Sequence, residues 1–264
     1  MKKYLVIGNP IEHSLSPKLH NFWFKANNIN SIYEKKKLNH DEVSSFILDI
    51  RKEKFAGANV TVPFKNSVIP YLDGLSSEAE MTQSVNTIYL EDKKVIGHNT
   101  DIEGFESSIK NTNYKASGKK IFILGSGGVV SSIIVALNKL NVSEITLSNR
   151  TRTKAENLKK LFKNIKVIDW GNVPHFDIII NATSIGLKKD ESIEIDFSKV
   201  GNNKLFYDVI YNPKQTNFLE SGKKLGNQTE NGKMMFLYQA QKAFQKWHRI
   251  LPEINKEVID LLDD

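Results

Sequence analysis

Two residues of this 264-residue sequence stand where a proton could be moved: Lys65 and Asp101. An ammonium and a carboxylate brought together beside a polyhydroxylated substrate can act as a proton-transfer pair. Each also has a plainer use. A lone lysine is ordinarily a solvated charge, and Asp101, following Gly97-His98-Asn99-Thr100, could simply cap a helix over Ile102–Ile109. The neighbours of Lys65 argue for the chemical use. In Asn59-Val60-Thr61-Val62-Pro63-Phe64-Lys65, Val60 and Val62 are expected to face a core, so Asn59 and Thr61 share the other face and Lys65 emerges past the strand end. In His13-Ser14-Leu15-Ser16-Pro17, Ser14 and Ser16 point the same way if the segment is extended, although Ser16 could be only a helix cap before proline. Asn86 opens the hairpin that leads to Asp101. Small polar groups at the carboxyl ends of strands are where open α/β sheets bind ligands.

A second cluster suits a dinucleotide. The apolar run Ile121–Leu124 passes directly into Gly125-Ser126-Gly127-Gly128-Val129 and then a helix. Glycines there permit a tight turn and close backbone approach, and the helix start offers N–H groups to a pyrophosphate. Val130 occupies the usual third glycine position, so the loop alone does not exclude an ordinary strand-to-helix turn. The next strand, Glu144–Ser148, ends in Asn149-Arg150-Thr151-Arg152-Thr153-Lys154, with no Asp or Glu to hold ribose hydroxyls. Guanidinium groups can hold a 2′-phosphate through paired hydrogen bonds, which favours NADP over NAD.

Positioning these groups requires alternating strands and helices, the pattern of an α/β fold with parallel strands. Strands are expected over Tyr4–Gly8, Ile29–Lys36, Gly57–Val62, Lys120–Leu124, Glu144–Ser148, Phe176–Asn181 and Leu205–Val209, with a hairpin of Asn86–Leu90 and Lys94–Gly97. Helices are expected from Ser16 to about Asn27, with Leu19, Phe22, Trp23 and Ala26 on one face, then over Asp41–Lys52 and Gly128–Leu140. Further helices fit Lys154–Phe162, opened by a Thr153/Glu156 capping box, then Lys233–Lys246 and Glu253–Leu262. The expected organisation is a substrate domain over 1–101, completed by helices of 237–264 that pack back, and a Rossmann-type NADP domain over 102–236.

Composition agrees with this and narrows the alternatives. Apolar residues at 40% and charged residues at 25% are ordinary for a globular enzyme. Cysteine is absent, which excludes disulfides, thiolate metal sites and cysteine nucleophiles, and no metal site is expected. The net charge of +7 comes from lysines scattered in pairs, not gathered in a stripe, so a surface that attracts anionic small molecules fits better than a nucleic-acid footprint. No segment reaches the roughly 20 apolar residues of a membrane span, and Gly8-Asn9-Pro10 breaks the only apolar run near the N-terminus. A cytoplasmic monomer or homodimer, bound to neither nucleic acid nor membrane, is expected.

Over nearly its whole length the sequence resembles the shikimate dehydrogenase family. The resemblance rests on Gly8-Asn9-Pro10 with His13–Pro17, Asn59–Lys65, Ser84-Val85-Asn86-Thr87, Asn99–Gly104, Gly125–Gly128 and Asn149-Arg150-Thr151. It continues through Asn181-Ala182-Thr183-Ser184-Ile185-Gly186, Asp208–Pro213, and Asn231-Gly232 to Gln239-Ala240. It implies NADPH-dependent, reversible reduction of 3-dehydroshikimate to shikimate, a step toward chorismate and the aromatic amino acids. It further implies that Lys65 is the acid/base, oriented by Asp101. Ser14, Ser16, Thr61, Asn86, Asp101, Tyr211 and Gln239 would contact substrate, and Asn59 joins them on its shared face with Thr61. Arg150, with Asn149, Thr151, Arg152 and Lys154, would take the 2′-phosphate. Val209 and Gly232 would border the nicotinamide, and Thr183 with the Gly125–Val129 loop completes the cofactor set.

Two departures stand out: Val129-Val130 where the family's loop commonly has small residues, and Lys154 where arginine is common. Quinate as substrate, a non-catalytic cofactor-binding regulator, and a nucleic-acid module are the competing readings. The pair of serines favours shikimate over quinate, and a regulator would have no need of both Lys65 and Asp101.

Overall fold

A computed structural model describes residues 1–263. It divides into two units, Met1–Glu103 with Leu237–Asp264, and Gly104–Phe236. The first unit begins with β1 (Lys2–Gly8), α1 (Ser16–Ala26), β2 (Ser31–Lys37), α2 (Val43–Arg51) and β3 (Gly57–Val60). It continues with β4 (Gly74–Leu75), α3 (Ser77–Thr82), β5 (Thr87–Glu91) and β6 (Lys94–His98), and runs into α4 (Asp101–Asn111). Its sheet has the order β2-β1-β3-β5-β6-β4. β2, β1 and β3 are parallel, β5 is antiparallel to both β3 and β6, and β4 is parallel to β6. The sheet is therefore mixed, not all parallel. Its geometry brings the carboxyl ends of β1, β3 and β6 and the amino end of β5 to one end of the sheet. The β5–β6 connection is a tight turn in which Asp92 and Lys93 both adopt positive φ (49° and 63°), the left-handed pair that matches hairpin twist.

The second unit holds β7 (Lys120–Leu124), α5 (Val130–Lys139), β8 (Glu144–Ser148), α6 (Arg152–Leu161) and β9 (Ile165–Ile168). β10 (Ile178–Asn181), β11 (Leu205–Asp208), α7 (Asn217–Lys224) and β12 (Gln228–Glu230) follow, and the chain closes with α8 (Lys233–His248) and α9 (Lys256–Leu261). Strand order β12-β11-β10-β7-β8-β9, parallel throughout, is the doubly wound arrangement of dinucleotide-binding folds. Its order reverses between β7 and β10, so the crevice at their carboxyl ends is the ligand position such sheets offer.

Several local expectations are corrected. Ser16 is the first residue of α1, not its cap; Leu15 holds the cap position without a side-chain bond. The buried face of α1 is Ser16, Leu19, His20, Trp23 and Phe24, with Ala26 exposed and Phe22 half-buried, because the helix packs on β1 and β2 one position round from the expected stripe. β3 stops at Val60, and Val62, next to Pro63, is 61% exposed instead of facing the core. The start of α6 is Thr151–Arg152, so Thr153 and Glu156 form no capping box, and Glu156 instead pairs with Arg152 at 3.2 Å. A capping box does occur at Asn39/Glu42, before a short 3-10 turn that leads into α2. The last helix opens later than expected, at Lys256, where Asn255 accepts from the Val258 N–H.

The later part of the chain completes the first unit's core. Phe244, Trp247 and His248 of α8 pack with Tyr4, His20, Trp23, Phe24 and Tyr33 in one aromatic cluster. The Trp247 indole donates to the Ile88 carbonyl at 3.0 Å and lies so near Gly57 that a Cβ there would stand 2.6 Å from Nε1. Only glycine allows that approach without a shift.

His20 sits inside this cluster fully buried, with neither ring nitrogen hydrogen-bonded. Burial, aided by nearby His248, pushes its pKa down to about 3; burial likewise lowers those of His98 and His248 to about 4. Such groups are neutral when folded but protonate near 6.5 when unfolded, so their contribution is intact above that pH and is lost as pH falls toward 4. Melting curves between pH 7.5 and 4.5 are expected to fall steeply for the wild type and less steeply for His20→Phe. Parallel slopes for the two proteins would contradict the assignment.

Candidate active site

The end of the first sheet gathers polar residues from four segments. Phe64, fully buried, anchors the turn after β3, and the Val85 N–H donates to the Lys65 carbonyl at 2.8 Å, which fixes the Lys65 backbone. The Lys65 ammonium lies 2.5 Å from Asp101 Oδ2, with side-chain exposures of only 12% and 7%. That excludes the solvated-lysine use. The capping use of Asp101 fails as well. It is Asn99 Oδ1 that accepts from the Asp101 N–H at 3.0 Å, while the Asp101 carboxylate accepts from Lys65 through one oxygen and from Asn86 Nδ2, at 2.8 Å, through the other.

Asn86 is the hub. Its Oδ1 accepts from the Thr100 N–H (2.8 Å) and the Thr87 hydroxyl (3.0 Å), and its Nδ2 reaches Thr100 Oγ1 at 2.9 Å and, more loosely, Gln239 Oε1 of α8 at 3.5 Å. Asn59 is also buried in this network. Its Nδ2 donates to the Asn86 carbonyl (3.0 Å) and Thr87 Oγ1 (3.1 Å), and its Oδ1 accepts from the Tyr33 hydroxyl at 2.6 Å. Ser14 Oγ donates to Ser16 Oγ at 3.3 Å and accepts from the Ser16 N–H at the same distance. Thr61 is half-buried beside Gly8, where its Cγ2 would stand 2.6 Å from any added Cβ. Thus Asn59, Asn86, Asp101, Lys65 and Gln239 form one connected set, and Ser14 and Ser16 form a pair of their own. Tyr33, Thr87 and Thr100 belong to the larger set too. Thr87 and Thr100 lie inside the motifs that carry Asn86 and Asp101, and register brings them together: Asn59 pairs with Thr87, and Thr87 with His98, two residues before Thr100. Tyr33 lies in none of those motifs.

In the second unit, the turn after β7 has the features a pyrophosphate needs. Gly125 has φ +109° and an added Cβ would stand 2.7 Å from the Ala182 carbonyl oxygen, whereas one at Gly127 would make only an ordinary contact with that oxygen, at 3.9 Å. α5 starts at Val130 with no side-chain cap, and Val129 holds the cap position. Ser148, whose carbonyl accepts from the Gly125 N–H, buries a hydroxyl that has no hydrogen-bond partner. An uncapped helix start next to a glycine turn attracts an anion through its N–H groups and its dipole. The residues present therefore fit a dinucleotide.

Beyond β8, Arg150 and Lys154 are exposed and form no ion pair among the described residues, whereas Arg152 is bound to Asp169 and Glu156. Asn149 turns inward on its own loop, Nδ2 donating to the Thr151 carbonyl at 2.8 Å. Thr183 pins the turn after β10: its hydroxyl donates to Asn181 Oδ1 (2.7 Å) and accepts from the Ile185 N–H (3.0 Å). Asp208, fully buried at the end of β11, accepts from Asn181, Thr216 and the Ile210 N–H, and burial raises its pKa to about 6. Gly232 packs against Val209 so closely that an added Cβ would overlap the Val209 carbonyl group. The Tyr211 ring stacks on Phe236 at 4.7 Å.

Both units have counterparts among known proteins. Residues 6–88 match the model of the shikimate dehydrogenase substrate binding domain, and residues 107–212 match that of shikimate / quinate 5-dehydrogenase. A shikimate dehydrogenase (NADP(+)) of Pelagibacter ubique is 60% identical over 262 residues, covering 99% of each chain. The chain belongs to the shikimate dehydrogenase family. A crystal structure of a shikimate dehydrogenase in complex with NADP+ superposes with a TM-score of 0.93 at 32% identity, covering 100% of this chain and 95% of the other. The Thermus thermophilus family member in complex with NADP(H) and shikimate gives a TM-score of 0.91 at 26% identity, covering 100% and 99%. The doubly wound unit and the mixed-sheet unit are thus the family's two folds.

The contact at Gly232 makes a direct expectation. Gly232→Ala forces the Val209 and Gly232 backbones apart, and overpacking of this kind costs about 1–3 kcal/mol. The variant should melt at lower temperature than the wild type and bind NADPH more weakly in a fluorescence titration. Unchanged affinity would mean that this approach has no part in holding the cofactor.

Proposed function

We propose that this family member catalyses the NADPH-dependent, reversible reduction of 3-dehydroshikimate to shikimate. The observation that carries the proposal is the nearly buried Lys65–Asp101 pair, joined to Asn86 and Gln239 at the sheet end where Ser14 and Ser16 also stand. NADPH, when bound, supplies the hydride that reaches the ketone carbon of the substrate.

The chain's own residues do the rest. Reduction of the ketone leaves negative charge on its oxygen, and Lys65 donates the proton that neutralises it. In the oxidative direction Lys65 takes that proton back. The Asp101 carboxylate holds the ammonium at a fixed place, and Asn86 and Asn99 hold Asp101, so little reorganisation accompanies transfer. Ser14 and Ser16 supply hydroxyl donors for the substrate carboxylate, and Thr61, Asn86, Gln239 and Tyr211 contact the ring hydroxyls. Asn59 acts from behind them, by fixing Asn86 and Thr87.

The cofactor belongs to the unit Gly104–Phe236, with the turn of Gly125, Ser126, Gly127, Gly128 and Val129 around the pyrophosphate. Arg150 and Lys154 take the 2′-phosphate, and Asn149 and Thr151 shape their loop. Arg152 is engaged with Asp169 and Glu156 and serves that loop instead of the phosphate. Thr183, Val209 and Gly232 line the remainder. We place the enzyme in the cytoplasm, acting on small molecules only.

Lys65→Ala is expected to lose about 10²–10⁴-fold in kcat, the span of general acid–base catalysis, while still binding shikimate. Near-normal turnover would remove the assignment. Asp101→Asn should lower turnover and alter the pH–rate profile; an unaltered profile would leave Asp101 a purely structural role. Purified protein mixed with shikimate or quinate and NADP or NAD should form reduced nicotinamide fastest with shikimate and NADP. A faster rate with quinate or with NAD would reassign the substrate or the cofactor.

A further inference from the structure

The second unit buries a carboxylate that has no part in the chemistry described above. Asp208 ends β11 fully buried, and no ammonium or guanidinium pairs with it among the described residues. Hydrogen bonds alone hold it. Oδ1 accepts from the Ile210 N–H at 3.0 Å, Oδ2 accepts from the Thr216 hydroxyl at 2.6 Å, and the Asn181 amide spans both oxygens at 3.1 Å. These donors come from three segments: the end of β10, the loop after β11, and the start of α7, which Thr216 caps. Burying a charge without a counter-charge is costly. A neutral side chain would tie the same segments together at lower cost.

What this clasp holds is the backbone around Thr183, Val209 and Gly232. Asn181 Oδ1 accepts from the Thr183 N–H (3.0 Å) and hydroxyl (2.7 Å), and its amide also donates to the Ile185 carbonyl (3.1 Å), so its orientation fixes the turn of residues 182–186. Gly186 closes that turn against Thr216, where an added Cβ would stand 3.1 Å from Thr216 Cγ2. The Ile210 carbonyl accepts from the Gly232 N–H at 3.1 Å, and the Val209 N–H donates to the Asn181 carbonyl at 3.0 Å. One carboxylate thus reaches all three positions, each through no more than one intervening residue.

We propose that Asp208 is a positioning residue for the nicotinamide end of the cofactor site, setting the loops after β10 and β11 in the arrangement that the cofactor meets. This rests on the roles given above to Thr183, Val209 and Gly232. The ionised form is required. Every partner of Asp208 already donates, so a proton added to either oxygen meets another donor and one bond of the clasp is lost. Burial raises this carboxyl from 3.8 to about 6, against the hydrogen bonds from Thr216, Ile210 and Asn181. The folded chain therefore takes up the proton before the unfolded chain does, and acidification through pH 6 does not weaken the fold at this group. The loss falls on the loops. The titratable groups on the elements around it are Tyr207 of β11, Glu230 of β12, Glu191 before β11, Glu220 of α7, Lys214 before α7 and Lys233 of α8; none of them bonds the carboxylate.

Asp208→Asn keeps the shape of the side chain, removes its charge and sets a donor where an acceptor stood. Calorimetric titration compares NADP+ with adenosine 2′,5′-bisphosphate, which carries the 2′-phosphate but no nicotinamide. The variant should bind NADP+ about tenfold more weakly and the bisphosphate as the wild type does. In the wild type the ratio of the two affinities should fall about threefold between pH 7.5 and 5.5, the bisphosphate correcting for protonation of the phosphate itself; in the variant it should stay flat. Equal weakening of both ligands, a lower melting temperature with unchanged NADP+ affinity, or a wild-type ratio indifferent to pH would overturn the proposal. If Asp208→Asn does not fold, Thr216→Val decides: it should lower the ratio several-fold and Thr216→Ser should restore it, whereas equal ratios in the two would count against Asp208. A wild type that oxidises no shikimate, with the ratios behaving as stated, would sink the functional reading and leave the positioning role standing.

Discussion

The ion pair between Lys65 and Asp101 is the constraint on which the first unit is organised. Taking an ammonium and a carboxylate out of water costs several kcal/mol per ion, and their attraction offsets this only when the remaining lone pairs and protons are satisfied. The sheet supplies that satisfaction by topology. One antiparallel hairpin set beside three parallel strands returns the chain so that Asn86, before β5, and Asp101, after β6, flank the end of β3 that presents Lys65. An all-parallel sheet of the same strands would have sent the amino end of β5 to the opposite edge.

The second unit solves a different electrostatic problem with backbone instead of side chains. A glycine turn and an uncapped helix start present backbone N–H groups that suit an anion, so they matter more there than any titratable group. The valines at 129 and 130, where family members commonly have small residues, are accommodated: Val130 turns into the core as the first residue of α5, fully buried, and Gly125 keeps its close approach to Ala182. Of Arg150, Arg152 and Lys154, Arg152 is the one that acids hold among the described residues, namely Glu156 and Asp169.

Much of this is legible in the sequence, and the same physics accounts for what is not. An apolar run that ends in Asn, Thr and Lys places polar groups where a strand gives out, and β7 and β8 fall where their apolar runs begin and end. Val62 departs from the alternation of its neighbours because β3 has already ended, in a segment that Pro63 removes from the ladder. The two- and three-residue strands β4 and β12 have no period to detect. Tyr33 is hidden in a different way. It lies in the middle of an ordinary-looking strand, and its bond to Asn59 spans 26 positions that only the sheet brings together.

The aromatic cluster that joins Tyr4 and His20 to Phe244 and Trp247 gives the chain an unusual order of assembly. During synthesis the first hundred residues leave the ribosome with their core open on one face, and Gly57 waits for an indole that is made nearly two hundred residues later. The interrupting unit, Gly104–Phe236, is contiguous and can close as soon as it emerges. The part made first is therefore finished last, and loss of the residues beyond Leu237 would damage the half that begins at Met1, not the half next to the break.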